Sequence, residues 1–145
     1  MSPRIHAAFA IVASVVVAFA VAWGFVLVGS PATRRLERFD ERRLQDLQTI
    51  AREIQSMVRD ENKERTLKEA LPTTLEEAAK RARNERVNPR DPESGEPYAY
   101  TVKNETTFEL CAKFSKQRDW DFSVFWNHPA GAHCFTINVL DPPPF

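Results

Sequence analysis

The spacing of hydrophobic positions changes in steps along this chain. Residues 7–29 (AAFAIVASVVVAFAVAWGFVLVG) form an unbroken run of 23 positions without a charge. A bilayer core of roughly 30 Å needs about 20 apolar residues in helical form. Twelve residues of the run are Ile, Leu, Val or Phe. At about −0.4 kcal/mol each they favour insertion by about 5 kcal/mol. The run is therefore read as a transmembrane helix preceded by a short flank, residues 1–6. Trp23 stands near one end, where an amphipathic ring prefers the interface. From about Thr33 to Arg65 the spacing becomes helical: Leu47, Ile50, Ile54 and Met57 follow a 3–4–3 pattern, with Leu36 and Phe39 on a related face. Residues 30–70 are read as an amphipathic stalk helix that packs on its own domain. Asp40 and Arg43 interrupt a coiled-coil seam at its start.

A short helix is expected from Leu71-Pro72-Thr73-Thr74 to about Asn84, with Leu75, Ala78, Ala79 and Ala82 inward. Thr73 with Glu76, or Thr74 with Glu77, makes a capping box. Residues 89–97 (PRDPESGEP) are a turn cluster. The period then drops to two. Tyr98, Tyr100 and Val102 share one face of a strand, as do Phe108, Leu110, Ala112 and Phe114 of the next, with a hairpin at Asn104-Glu105. Trp120–Trp126 alternates in part, and Phe135, Ile137 and Val139 share a face in the last run. The expected fold is α+β: an N-terminal transmembrane helix continuing into an amphipathic helix packed on a small antiparallel sheet. Residues 71–140 form the small head and 141–145 a Pro-rich tail that cannot extend a central strand.

Composition removes several functions. Twenty Lys+Arg balance twenty Asp+Glu, and only Arg4 of these forty charges precedes residue 33. The remainder is close to neutral, which excludes binding of nucleic acid through net basic charge. Four glycines are few for a phosphate-cradling architecture. No G-x-S-x-G, H-E-x-x-H, P-loop or dinucleotide fingerprint occurs, so the chain reads as non-catalytic and without a cofactor. Asp119 and Asp121 straddle Trp120 and read as solvated. His128, His133 and Cys134 lack a second paired half for structural zinc. Asp91, Glu93 and Glu96 offer oxygens to calcium, although their spacing fits no EF-hand loop. Lys80, Arg81, Arg83 and Arg86 suit a helix C-terminus without any ligand; a phosphate or lipid headgroup is the other reading.

Cys111 and Cys134 are the only cysteines. Each lies on the strand face opposite the larger apolar residues. If the two strands pair as neighbours, both sulfurs emerge on the same side, suited to a disulfide; reduced structural thiols are the alternative. A disulfide implies an oxidising compartment. The positive-inside count opposes this, with Arg4 before the apolar run and Arg34, Arg35, Arg38, Arg42 and Arg43 after it, but the rule weakens for long translocated segments. A cleaved leader competes with an anchor because Ser30 and Ala32 fit a small-x-small pattern. The run is longer than a usual leader core and its flank is poor in basic residues, which favours the anchor. Ala10, Ser14, Ala18 and Ala22 recur every four residues and form a candidate helix-packing face. Trp120, Phe122, Trp126 and His128 form a candidate partner or ligand surface.

The order of parts resembles the type IV pilin and type II secretion pseudopilin architecture. The resemblance is carried by one membrane helix, an amphipathic helix, Leu-Pro-Thr-Thr-Leu at 71–75, Asp-Pro-Glu-Ser-Gly-Glu-Pro-Tyr-Ala-Tyr at 91–100 and a short antiparallel sheet. It is also similar to uncharacterised bacterial single-pass membrane proteins with a pilin-like domain, through Leu110–Phe114 and Trp126–Phe135. The prepilin-peptidase site of the pilins has no counterpart: no Gly precedes Ala7 and no Glu precedes Glu37. The resemblance thus implies a pilin-like periplasmic domain on an uncleaved inner-membrane anchor. The expected role is an accessory or assembly subunit, with the lipid bilayer and other membrane subunits or itself as partners. The alternative is an extracytoplasmic sensory or ligand-binding module using the aromatic loop.

Overall fold

The computed structural model describes residues 3–28, 30–60, 66–83, 86–122 and 124–144. The expected helix ends at Arg65 and Asn84, together with Gly29 and Phe145, lie outside them. The chain divides into two compact units, Met1–Arg35 and Leu36–Phe145. Helix α1 (Pro3–Val28) lies in the first. Its described large apolar side chains are exposed, Phe9, Val15, Phe19 and Phe25 among them. It is long and apolar enough to cross a membrane. Phe19 and Trp23, one turn apart, stack with centroids 6.0 Å apart. Ala10, Ser14, Ala18 and Ala22 are all exposed, and their spacing of four places them along one face.

Helix α2 (Pro31–Val58) starts cleanly for a local reason. The Ser30 hydroxyl accepts the Thr33 N–H at 3.2 Å, so serine caps the helix and Pro31 takes the first helical position, where no N–H is needed. The expected helix to residue 70 is too long. After Val58 the sequence RDENKERT has no apolar residue to continue the buried stripe. The chain turns back, pairing Arg59 with Leu67, and Lys68 N donates to the Val58 carbonyl at 2.8 Å. As expected, α2 packs on its own domain: Leu44, Leu47, Ile50, Ala51, Ile54, Met57 and Val58 are buried. They share one hydrophobic core with Phe108, Leu110, Phe114, Phe135 and Ile137.

Helix α3 (Leu75–Arg81) is capped by Thr74, whose hydroxyl accepts the Glu77 N–H at 3.2 Å. The Glu77 carboxylate reaches back to the Thr73 N–H at 2.7 Å. This is the second of the two expected capping boxes, with the return bond displaced by one residue. Leu75 and Ala78 are buried, and Ala79 and Ala82 pack against the core. Tyr100 donates its hydroxyl to the Pro72 carbonyl at 2.8 Å, tying the α3 approach to the sheet.

Strands β1 (Ala99–Val102), β2 (Thr107–Phe114) and β3 (Gly131–Asn138) form an antiparallel sheet in the order β1-β2-β3. Asn104 shapes the expected hairpin by accepting the Thr106 N–H at 2.9 Å. In the β2–β3 register, Phe108 faces Ile137 and Leu110 faces Phe135; all four are buried. The intervening pairs, including Cys111 with Cys134, occupy the opposite face. Trp120–Trp126 is not a strand. It contains a turn and a 3-10 segment, Val124–Trp126. Phe125 and Trp126, consecutive in sequence, both pack on Phe135 with centroids 6.0 and 5.0 Å away. A strand would send them to opposite faces; a helical turn lets both join the core.

Candidate functional site

Arg43 organises one end of the head. Asp40 and Arg43 stand one turn apart on α2 and are both buried. The Asp40 carboxylate accepts the N–H of Ser115 at 2.9 Å and that of Lys116 at 2.9 Å, fixing the chain where it leaves β2. Arg43 donates through Nη1 to Asp40 at 2.8 Å and to the Ser115 hydroxyl at 3.4 Å. Its Nε and Nη2 grip the Asp91 carboxylate at 2.5 and 3.1 Å, and Nη2 also reaches Glu93 at 2.5 Å. A guanidinium has five N–H donors, and five acceptor contacts surround this one.

The acidic turn therefore already holds a cation. Of the three oxygen residues considered for calcium, Asp91 and Glu93 bind Arg43. Glu96 is exposed and contributes its backbone carbonyl to the Asp91 N–H at 2.8 Å. Hydrogen bonding to Asp91 outweighs burial and holds Arg43 charged well above its ordinary range. Burial pushes the Asp91 carboxyl up. The Arg43 guanidinium and the N–H groups of Ser94 and Glu93 outweigh that and bring it down from 3.8 to about 2. Neighbouring Asp46 moves the other way: burial raises it, against hydrogen bonds from Tyr98 and Asn88.

This arrangement predicts acid sensitivity. A carboxyl whose folded pKa lies below its unfolded one stabilises the fold above the unfolded value. It loses that contribution as pH falls through the folded one. For Asp91 the window runs from 3.8 down to about 2, with about 2 kcal/mol at stake. His128 adds a loss at higher pH. Burial lowers its pKa below 6.5, so folding suppresses its charge, and stability falls as pH drops through 6.5. Urea unfolding of the full chain in detergent at stepped pH measures both. Asp91→Asn should flatten the lower limb only.

The connection from β2 to β3 forms a closed loop. Arg118 and His128 exchange backbone hydrogen bonds at 2.9 and 3.1 Å. Inside it the Asn127 side chain accepts the Trp120 N–H at 2.9 Å and donates to the Trp120 carbonyl at 3.1 Å. The four residues expected to form one surface divide. Trp126 is fully buried and donates its indole N–H to the Pro144 carbonyl at 2.8 Å. His128 is buried and stacks on Phe114 with centroids 3.5 Å apart. These two belong to the core, because the Val124–Trp126 turn and the Arg118–His128 pair direct them inward. Trp120 and Phe122 remain outside, with Val124 beside them. A cleft of about 480 Å³ lies next to Trp120, lined also by Glu37, Asp40, Glu41, Lys116 and Arg118. Within it Lys116 pairs with Glu37 at 2.8 Å and Arg118 with Glu41 at 3.6 Å, and exposed Asp119 also lines it. The Arg118 guanidinium lies over the Trp120 ring, 4.4 Å from its centre. Among the described residues that line it, none is a nucleophile held by a base.

Cys111 and Cys134 are joined by a disulfide between directly paired residues of β2 and β3. Cys134 is exposed and Cys111 half-buried. The sulfurs and the Glu109 carboxylate gather within 4.8 Å, but sulfurs bound to each other are not thiolate ligands. His133 lies edge-on to Phe135 at 4.8 Å, so His128, His133 and Cys134 are each otherwise engaged. In the basic cluster, Arg81 is taken up by Glu77 at 3.1 Å and by Glu69, while Lys80, Arg83 and Arg86 are exposed. The chain matches no protein-family model, no curated protein and no solved structure.

Proposed function

We propose that this chain is a non-catalytic, membrane-anchored interaction protein, an accessory or assembly subunit of a membrane complex. In this reading α1 is an uncleaved single-pass anchor in the inner membrane, and the head is pilin-like and lies on the periplasmic side. The observation that carries it is the exposed Cys111–Cys134 disulfide in a chain that also has an apolar helix. Disulfides persist in oxidising compartments, and a tether before such a head suits display outside the cytoplasm. The polar constellation around Arg43 closes on itself, with the guanidinium taken up by Asp40, Asp91 and Glu93. A sensory module walled by both Trp120 and Trp126 is less favoured, since Trp126 lies in the core.

Assembly should run through the small-residue face of α1. Mild crosslinking in intact membranes is expected to trap the full chain in a discrete higher-mass species. Ser14→Ile with Ala18→Ile should reduce it severalfold, because close helix approach needs small side chains. A chain recovered only as an inert monomer speaks against the proposal.

A further inference from the structure

We propose that the side chains of Trp120, Phe122 and Val124 form a second membrane contact, resting in the interfacial layer of the bilayer that holds α1. This rests on the membrane-anchored reading above. Phe122 is 99% exposed, Val124 70% and Trp120 57%. Outside α1, the other exposed large hydrophobic residues described are Leu36 and Val102, at 37% and 40%. The head thus collects its most exposed apolar groups on one loop. The backbone there is held by Asn127 on both sides of Trp120 and by the Arg118–His128 pair.

The position along the chain favours a bilayer. The base of the loop is bound to the start of the head's helix through Asp40, Lys116–Glu37 and Arg118–Glu41. Glu37 follows Val28, the last residue of α1, by nine positions. Nine residues span at most about 30 Å even when fully extended. The covalent tether therefore raises the effective concentration of the loop at the bilayer, which strengthens weak partitioning. The chemistry also fits. Trp prefers the headgroup level, and the Arg118 cation on its ring face can stay in the polar layer. Asp119 and Asp121 alternate with the apolar tips and are exposed, which restricts the contact to a shallow one. Lys116 and Arg118 are paired with Glu37 and Glu41, so with Asp119 and Asp121 the loop has no excess of basic charge that would call for anionic lipid. A second copy is a poorer occupant. Three such side chains present roughly 400 Å², against about 800 Å² per partner in a standard interface.

The test uses the full chain with Trp23→Phe in phosphatidylcholine vesicles, leaving Trp120 and Trp126 as emitters. Lipids spin-labelled near the headgroup should remove about a third of the emission. Adding Trp120→Phe, or Phe122→Ser with Val124→Ser, should abolish most of that loss. The near-ultraviolet signal of buried Trp126 reports that each variant is folded. Quenching should not rise when phosphatidylglycerol replaces phosphatidylcholine, since the loop carries no excess of basic charge. Emission insensitive to the spin label in a chain that still floats with the vesicles overturns the loop contact and leaves the anchor intact. Quenching that appears only with anionic lipid also overturns it, in favour of a basic-residue contact. A chain that does not float with vesicles overturns the anchored reading itself.

Discussion

Replacing Arg43 with methionine is expected to destabilise the head by about 3–5 kcal/mol. The cost does not come from losing a surface ion pair. The Arg43 side chain is 5% exposed, and its partners Asp40 and Asp91 are 10% and 11% exposed. Removing the guanidinium leaves two desolvated carboxylates without their cation, and an uncompensated buried charge is worse than no charge. The Asp40 bonds to the Ser115 and Lys116 N–H groups would survive. The Asp91 turn would lose its attachment to α2. Two controls separate this explanation from simple loss of packing. Adding Asp40→Asn and Asp91→Asn to Arg43→Met should recover much of the stability, because no charge is then left unpaired. Glu93→Gln alone should cost less than about 1 kcal/mol, since solvent screens a group that is 39% exposed. Urea unfolding of the full chain in detergent provides the comparison. A loss from Glu93→Gln equal to that from Arg43→Met would contradict the ranking.

Breaking the Cys111–Cys134 bridge comes next in size. The bond closes a segment of 23 positions in sequence separation. Chain-entropy arithmetic gives about 3 kcal/mol for a loop of that length, mainly by restricting the unfolded ensemble. That segment includes the Trp120–Val124 loop and the buried Trp126. Its ends are already paired through the β2–β3 ladder, so the folded state should change little. Reduction, or Cys111→Ala with Cys134→Ala, is therefore expected to lower the urea midpoint while leaving the near-ultraviolet spectrum native. Unfolding outright in the absence of denaturant would mean that the core is weaker than its burial implies. No change in midpoint would mean that the unfolded chain gains nothing from being opened.

The sheet was legible because alternation is a strict code. Phe108, Leu110, Phe135 and Ile137 define one face, which leaves Cys111 and Cys134 on the other. Two features were not legible, each for a specific reason. Trp120–Trp126 alternates partly, but aromatic residues at every second place suit an exposed tip above a buried turn as well as a strand. The 3-10 turn that buries Trp126 depends on Phe135 and Pro144, which are distant in sequence. Asp40 and Arg43 interrupt an apolar stripe, and the spacing along one helix carries no trace of partners on other elements. Their partners, Asp91 and Glu93, lie about fifty positions away. The available signal was opposite charges three residues apart on a face destined for burial, together with an acidic turn elsewhere. The end of α2 was readable in principle, since residues 59–66 contain nothing apolar to bury. The capping box needed only local pattern and the disulfide only the pairing of two strands; the arginine hub needed the fold.

Sulfhydryl labelling in intact cells addresses the anchored, externally displayed head most directly. A membrane-impermeant maleimide is applied to the full chain before and after an impermeant reductant. The account predicts no labelling at first and labelling at Cys111 and Cys134 once the bridge is opened from outside. Labelling that needs no reduction, or that appears only after the cells are permeabilised, would contradict it.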